Sequence, residues 1–267
     1  MDPIITSISQ VFSQPVPTVE VKESDYRTVT STATSTALMD PIFALWNGDR
    51  KSLLDLAKWA LNSASKSKHV HLPMPQLEDT HRLDKEADIV RLSALQLIHP
   101  VNVVVTALMP AGITLRCLSE ASSQGNLART DLKWLWETEE ASSVVAVLEY
   151  KNTNVIRFSD WKPAIVTPES ASEAMFKFWK EKSDTLLKEN GILLSKQITK
   201  YKTECSDIAL FDWEKMIIFD FGDVNEDARN PRLPKVVLED KTLHFRYLLL
   251  GMIVRGLGRA GIINIPY

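Results

Sequence analysis

Apolar positions change period several times along this 267-residue chain. After a capping Asp49, Leu53, Leu54, Leu56, Ala57, Ala60 and Leu61 recur at helical spacing. A second helical stripe (Ile89, Leu92, Leu95, Leu97) starts near Asp84 and ends at Pro100, with Glu86 and Asp88 set favourably against the helix dipole in its first turn. The period then shortens. Ile113–Leu118 (ITLRCL) alternates as a half-buried strand does, and Asp131–Trp136 (DLKWLW) is strand-like and aromatic. Val144–Leu148 (VVAVL) is the unbroken apolar run of a strand covered on both faces. Polar loops over 119–128 and 137–143 join these three strands. Helical spacing returns over 169–188 and 195–203, interrupted at Asn190-Gly191. Ile208–Phe211 and Met216–Phe221 read as two short strands around the turn Asp212–Lys215. Leu233-Pro234 lead into a last amphipathic helix over 241–257, stopped near Gly258 and Gly261.

The order of helices, three strands, helix, two strands and helix defines an α/β or α+β core. Ahead of it, residues 1–37 read as a loosely ordered Ser/Thr-rich arm, with Pro15, Pro17 and the run TVTSTATSTA against regular structure. Residues 38–83 read as a helical extension, in which Asp40-Pro41 caps a short helix carrying Ile42, Leu45 and Trp46 up to Gly48. The core domain then occupies 84–267. The tetrapeptide MDPI occurs at 1–4 and 39–42 without a longer repeat around it.

Composition changes this picture little. With 45% apolar and 24% charged residues the chain is an ordinary globular sequence, long enough to bury a core without staples. Cys117 and Cys205 make no disulfide framework. The net charge of −3 supplies no global field toward nucleic acid or membrane, so a polyanion site has to be a local patch. The first residues lack a basic and then apolar leader, and the most apolar stretch, Leu92–Met109, is broken by Gln96, His99, Pro100 and Asn102. An intracellular protein of cytoplasm or nucleus, without a membrane partner, is expected.

The chemistry concentrates at two strand ends. Asp131 opens one strand, and VVAVLEYK carries Glu149 and Lys151 out of the core on one face of the next, since side chains alternate with period two. Two carboxylates from neighbouring strands, with the Tyr150 carbonyl as a third oxygen, suit a hard divalent cation, and Lys151 beside it suits an attacking water or a developing phosphorane charge. The plainer explanation is a surface Glu and Lys at a strand end. On the following helix Gln197 and Tyr201 are four apart and share a face, flanked by Lys196 and Lys200. An amide and a phenol beside two lysines suit a phosphodiester, whereas an amphipathic helix with a packed Tyr201 explains the same residues without function.

Taken together, Asp131, the apolar strand ending in Glu149-x-Lys151, and Gln197-x-x-x-Tyr201 resemble the PD-(D/E)XK nuclease superfamily. The Gln-x-x-x-Tyr element is similar to that of RecB-type and phage-exonuclease-type members. The stretch from ARTDLKWLW to IALFDWEKMIIFDF looks like the nuclease-like domains of fungal Crinkler-type effectors, over roughly residues 84–221. The resemblance implies a restriction-endonuclease-like α/β sandwich, a small mixed sheet flanked by helices. It implies Asp131 and Glu149 as metal ligands, Lys151 as the catalytic lysine, and Gln197 and Tyr201 as phosphate-placing groups. It implies Mg²⁺ or Mn²⁺ as cofactor and DNA as substrate, with RNA as an alternative, and a toxin or effector role. Such folds add an acid from the helix before the sheet, and Glu86 and Asp88 both qualify. The departure is Thr130 where the superfamily's name places proline.

Other chemistry is poorly supported. His69 and His71 lack further zinc ligands, and neither a P-loop nor a Gly-x-Ser-x-Gly elbow occurs. His99 and His244 read as packed residues, and most of the seven Trp as core, with Trp161 near a site mouth. Lys162 and Arg157 beside it are candidate phosphate contacts or solvated loop charges. Three readings stand at this stage: a metal-dependent nuclease, an inactive nuclease-fold module that binds nucleic acid or protein, and an unrelated α/β protein. Homodimerisation is open, because the apolar run Tyr247–Val254 serves equally as core or interface.

Overall fold

The computed structural model describes residues 6–21, 29, 40–75, 81–122, 129–181, 185–222 and 233–266. In chain order these form α1 (Ile8–Val11), β1 (Glu20–Val21), β2 (Leu45–Asn47), α2 (Arg50–Ala64), β3 (Arg82–Leu83) and the long α3 (Glu86–Thr106). Next come β4 (Thr114–Ser122), β5 (Arg129–Glu137), β6 (Ser142–Tyr150), α4 (Phe158–Trp161), β7 (Ile165–Val166), α5 (Pro168–Glu181) and α6 (Glu189–Tyr201). The chain closes with β8 (Asp207–Phe211), β9 (Met216–Asp220), β10 (Lys235–Glu239) and α7 (Phe245–Arg259).

Eight strands make one mixed sheet in the order β4-β5-β6-β8-β9-β10-β2-β7, with β1 and β3 pairing separately. β4, β5 and β6 form an antiparallel meander, β8 joins β6 in parallel, and β9 and β10 follow antiparallel. Period-two alternation sorts the strand residues onto two faces. Ala146, Leu148 and Tyr150 of β6 join Ala209 and Phe211 of β8 in one core with α1, α2, α3 and α7, while Val147, Ile208 and Leu210 join α6 in a second. The mixed α/β class expected from the pattern is therefore present.

Several elements differ from the expectation. The stripe Ile42–Trp46 is not a helix: Leu45–Asn47 is a strand between β10 and β7, because Trp46 N donates to Pro234 O at 2.9 Å and Gly48 N to Val236 O at 2.7 Å. Sheet pairing outweighs the local capping signal there. Nor is the described part of residues 1–37 a loose arm, since Ile8, Val11, Phe12 and Val16 are buried in the first core. The 38–83 extension is likewise no separate unit, because α2 lies against α7 in that same core. At their crossing a Cβ on Gly251 would stand 2.1 Å from Leu53 O, so only glycine permits the approach. The run 185–188 is not helical, and β10 is a strand ahead of the last helix, starting just after Pro234. The Ser/Thr-rich run 30–37 lies outside the described residues.

α3 passes through Pro100 where the sequence reading stops it. A π-helical turn at Ala94–Ile98 absorbs the proline. Pro100 has no N–H for the carbonyl four residues back, and Gln96 O accepts instead from Arg246 Nε at 2.6 Å. Arg246 Nη1 also donates to Val11 O and Gln14 O, both at 2.9 Å. Burial pulls this guanidinium's pKa down to about 10. Among the described residues α3 is the one helix long and apolar enough to cross a bilayer, and more than half of its apolar window is buried inside the fold. α7 settles the choice left open for its apolar run: Leu248 through Val254 are buried core residues.

Two buried acids and two arginines form a charged network at the ends of β8 and β9. Arg255 Nε donates to Asp207 Oδ1 at 2.8 Å and its Nη1 reaches Asp220 Oδ2 at 3.1 Å. Arg259 Nη1 bridges both acids at 2.9 Å. Asp207 opens β8, so this network and the strand's other end at Phe211 lie roughly 13 Å apart.

Candidate active site

The far end of β6 and β8 gathers the residues that the sequence picks out. Leu132 faces Leu148 across β5 and β6, so Asp131, one residue earlier, stands abreast of Glu149. Tyr150 N donates to Asp131 Oδ2 at 2.8 Å, which fixes that carboxylate across the two strand ends. Glu149 pairs with Leu210 in the parallel ladder and shares its face with Val147, toward α6.

Glu149 is the hub. Its side chain is 5% exposed and that of Lys151 10%. Lys151 Nζ donates to Glu149 Oε1 at 2.8 Å, the two side chains lying on one face as the Glu-x-Lys spacing requires. From α6, Tyr201 Oη donates to Glu149 Oε2 at 3.0 Å and Gln197 Nε2 donates to Oε1. Gln197 Nε2 also lies 3.4 Å from Tyr201 Oη, the i,i+4 contact that the helix geometry dictates. Burial, and next the Glu149 charge, raise the Tyr201 phenol pKa, so the phenol remains a donor.

Glu86 is half-buried at the start of α3 and carries a raised pKa. Burial is the main cause; the Lys151 charge opposes it and the Asp131 charge adds to it, which places Glu86 in the field of both residues. Asp88 turns away, its Oδ2 accepting from Asp84 N at 3.1 Å and Lys85 N at 3.0 Å as the cap of the helix.

Other expected residues are dispersed. The Tyr150 side chain enters the first core against Phe211, so only its backbone belongs to the site. Trp161 is no site-mouth residue, being fully buried against Phe219 at 5.2 Å. Lys162 is exposed just after α4, and Lys196 and Lys200 are half-buried on the flanks of α6 beside Gln197 and Tyr201. Arg157 binds Glu189 and lies 3.3 Å from Asp160, so it is an ion-pair member of the loop after Lys151.

One pair escapes the sequence reading. Lys133 is buried on the Asp131 face of β5, with Nζ 3.5 Å from Glu204 Oε2 just beyond α6. The signal was available, since residues 131 and 133 share a strand face by parity.

Among the described residues, no three of His, Cys, Asp and Glu stand close enough to hold a metal ion between them. The donor types suit a hard cation, since Asp131 and Glu149 are carboxylates standing abreast on neighbouring strand ends, with Lys151 bonded to Glu149. No known family model matches the chain, and no curated protein or solved structure matches it either.

Proposed function

We propose that this chain is a Mg²⁺- or Mn²⁺-dependent nuclease of restriction-endonuclease-like fold that hydrolyses DNA phosphodiesters. The observation that carries the reading is the convergence on Glu149 of Lys151 from its own strand end and of Gln197 and Tyr201 from one face of α6, with Asp131 one strand over. A buried carboxylate has to be paired whatever its use, and an apolar residue would serve packing better, so the retention of a charged group here supports a chemical role.

Asp131 and Glu149 would hold the ion, with Glu86 as the further acid from the helix before the sheet, and a bound ion would supply Lewis-acid activation of the phosphoryl group and of water. Lys151, held at the edge of the acids, stabilises negative charge developing on the phosphoryl oxygens and orients the attacking water. Tyr201 Oη and Gln197 Nε2 keep the Glu149 carboxylate in one rotamer, and the flanking Lys196 and Lys200 offer cations to the phosphate chain. Direct action on nucleic acid as a toxin or effector is the role that the resemblance implies.

A second reading rests on the absence of a three-acid cluster among the described residues and on the −3 net charge: a nuclease-fold module that binds without cutting. One assay separates them. Supercoiled plasmid, linear duplex, single-stranded DNA and RNA are incubated with Mg²⁺, Mn²⁺ or EDTA, beside a folded Lys151→Ala variant. Metal-dependent cleavage that disappears in the variant supports the nuclease. Intact substrates with retained binding support the module.

A further inference from the structure

Asp212 is a fully buried carboxylate that the site described above does not use. Its Oδ1 accepts from Glu214 N at 3.1 Å and Lys215 N at 2.8 Å, closing the turn from β8 to β9 around Trp213, which adopts a left-handed φ of 76°. Those two bonds account for the turn, and an asparagine would make them without burying a charge. Oδ2 does separate work, accepting from Ile156 N at 3.3 Å across 56 residues of sequence.

The neighbouring residue doubles the link. Phe211 O accepts from Lys151 N at 2.9 Å, so the chain leaving β6 is fastened to the end of β8 at residue 151 and again at 156. Between the two fastenings Asn154 takes a left-handed φ of 65°, Thr153 and Val155 are buried, and Val155 O accepts from Asn190 Nδ2 at 3.0 Å. The loop that starts at Lys151 is thereby held on β8 and α6 together.

We propose that Asp212 is a positioning residue whose bond to Ile156 N fixes the loop beginning at Lys151 and so keeps Lys151 Nζ on Glu149. The proposal rests on the nuclease reading only for its consequence in catalysis. A lysine side chain follows its backbone, and without the Ile156 bond the segment beyond residue 151 loses its tie to the end of β8 and keeps the bond from Asn190 on α6. Both oxygens of an aspartate, ionised or protonated, keep a lone pair to accept with, whereas an asparagine has one acceptor oxygen. In Asp212→Asn, that oxygen serves the turn and the amide N–H₂ confronts the Ile156 N–H, so the loop fastening is lost selectively.

The experiment compares wild type, Asp212→Asn and Lys151→Ala by two readouts. Acylation of Lys151 by an amine-reactive ester, read by mass spectrometry against exposed Lys58, reports the ion pair without any activity. Lys151 labelling should rise at least about fivefold in Asp212→Asn with Lys58 unchanged, as expected for local opening. Metal-dependent cleavage should lose about 10- to 100-fold in kcat with KM held within about threefold, the pattern of a misplaced group acting after binding. Lys151 labelling at the wild-type level overturns the proposal, and so does raised labelling with kcat unchanged. If wild type cuts no substrate, the nuclease reading fails and labelling alone decides the fastening. Should Asp212→Asn not fold, Asp212→Ser keeps a turn acceptor, cannot reach Ile156, and is judged by the same readouts.

Discussion

Glu86 and Asp88 share the first turn of α3 and are divided in their work: Asp88 accepts the backbone N–H groups of Asp84 and Lys85, while Glu86 lies in the field of Lys151 and Asp131. Substitution should separate the two. Asp88→Ala removes a cap and should cost about 1 kcal/mol in urea unfolding with cleavage within a few-fold of wild type. Glu86→Gln should leave the unfolding midpoint near wild type and lower metal-dependent cleavage by about 10-fold or more. Equal activity losses from both variants would remove Glu86 from the site.

Arg246 presents a sharper stability test. Its guanidinium reaches three carbonyls from two parts of the chain, and Arg246→Met leaves Gln96 O, Val11 O and Gln14 O without that donor. The loss should be about 3–5 kcal/mol, read as a lower urea midpoint, with hydrogen exchange of residues 8–16 accelerating first. Loss of stability without preferential exchange in that segment would contradict the stitching role.

Gly251→Ala tests the crossing of α2 and α7. The added methyl would meet Leu53 O at 2.1 Å, and neither backbone can retreat without disturbing the core. A cost of about 1–3 kcal/mol or more is expected although alanine is the better helix former by about 1 kcal/mol. Unchanged or improved stability in denaturant would mean that the two helices stand farther apart.

Asp212 gives stability a pH dependence of definite sign. Burial is the first cause that raises its pKa from 3.8 to about 7; Lys215 and the backbone N–H groups oppose it and Glu214 adds to it. Between those values the folded chain keeps a proton that the unfolded chain releases. This group's contribution therefore falls as pH rises from about 4 to 7, with a limiting slope of about 1.4 kcal/mol per pH unit. In Asp212→Asn that contribution should vanish, so the difference in unfolding free energy between the two proteins should itself vary across this window. A difference independent of pH would refute the assignment.

Much of this architecture is written in local pattern. The three strands β4, β5 and β6, the helix bearing Gln197 and Tyr201, and the strands at 207–211 and 216–220 all follow from period, because each buries a continuous face. Each half of the Glu149 cluster was legible for a similar reason, since parity puts residues 149 and 151 on one strand face and i,i+4 spacing puts 197 and 201 on one helix face. Gln197 and Tyr201 were expected on a phosphate, however, and no local pattern marks their bonds to Glu149. What escaped depends on partners distant in sequence. β2 is a strand only because β10 and β7 flank it, and β10 itself lies between β9 and β2. The π turn conceals the continuity of α3, since an extra residue per turn shifts the apolar stripe out of phase across Pro100. Asp212 reads in sequence as a turn residue, and no local signal marks the bond to Ile156.

The Arg246 contacts also set a timetable. Val11 and Arg246 are separated by 235 positions, and α7 follows every other described element in chain order. At a synthesis rate of about 5–20 residues per second, Ile8, Phe12 and Val16 wait on the order of 10–50 s for the arginine and the helix that complete their pocket. Throughout that interval these apolar side chains have only part of their final surroundings, so residues 8–16 of the nascent chain stand open to chaperones and to misassembly until α7 arrives.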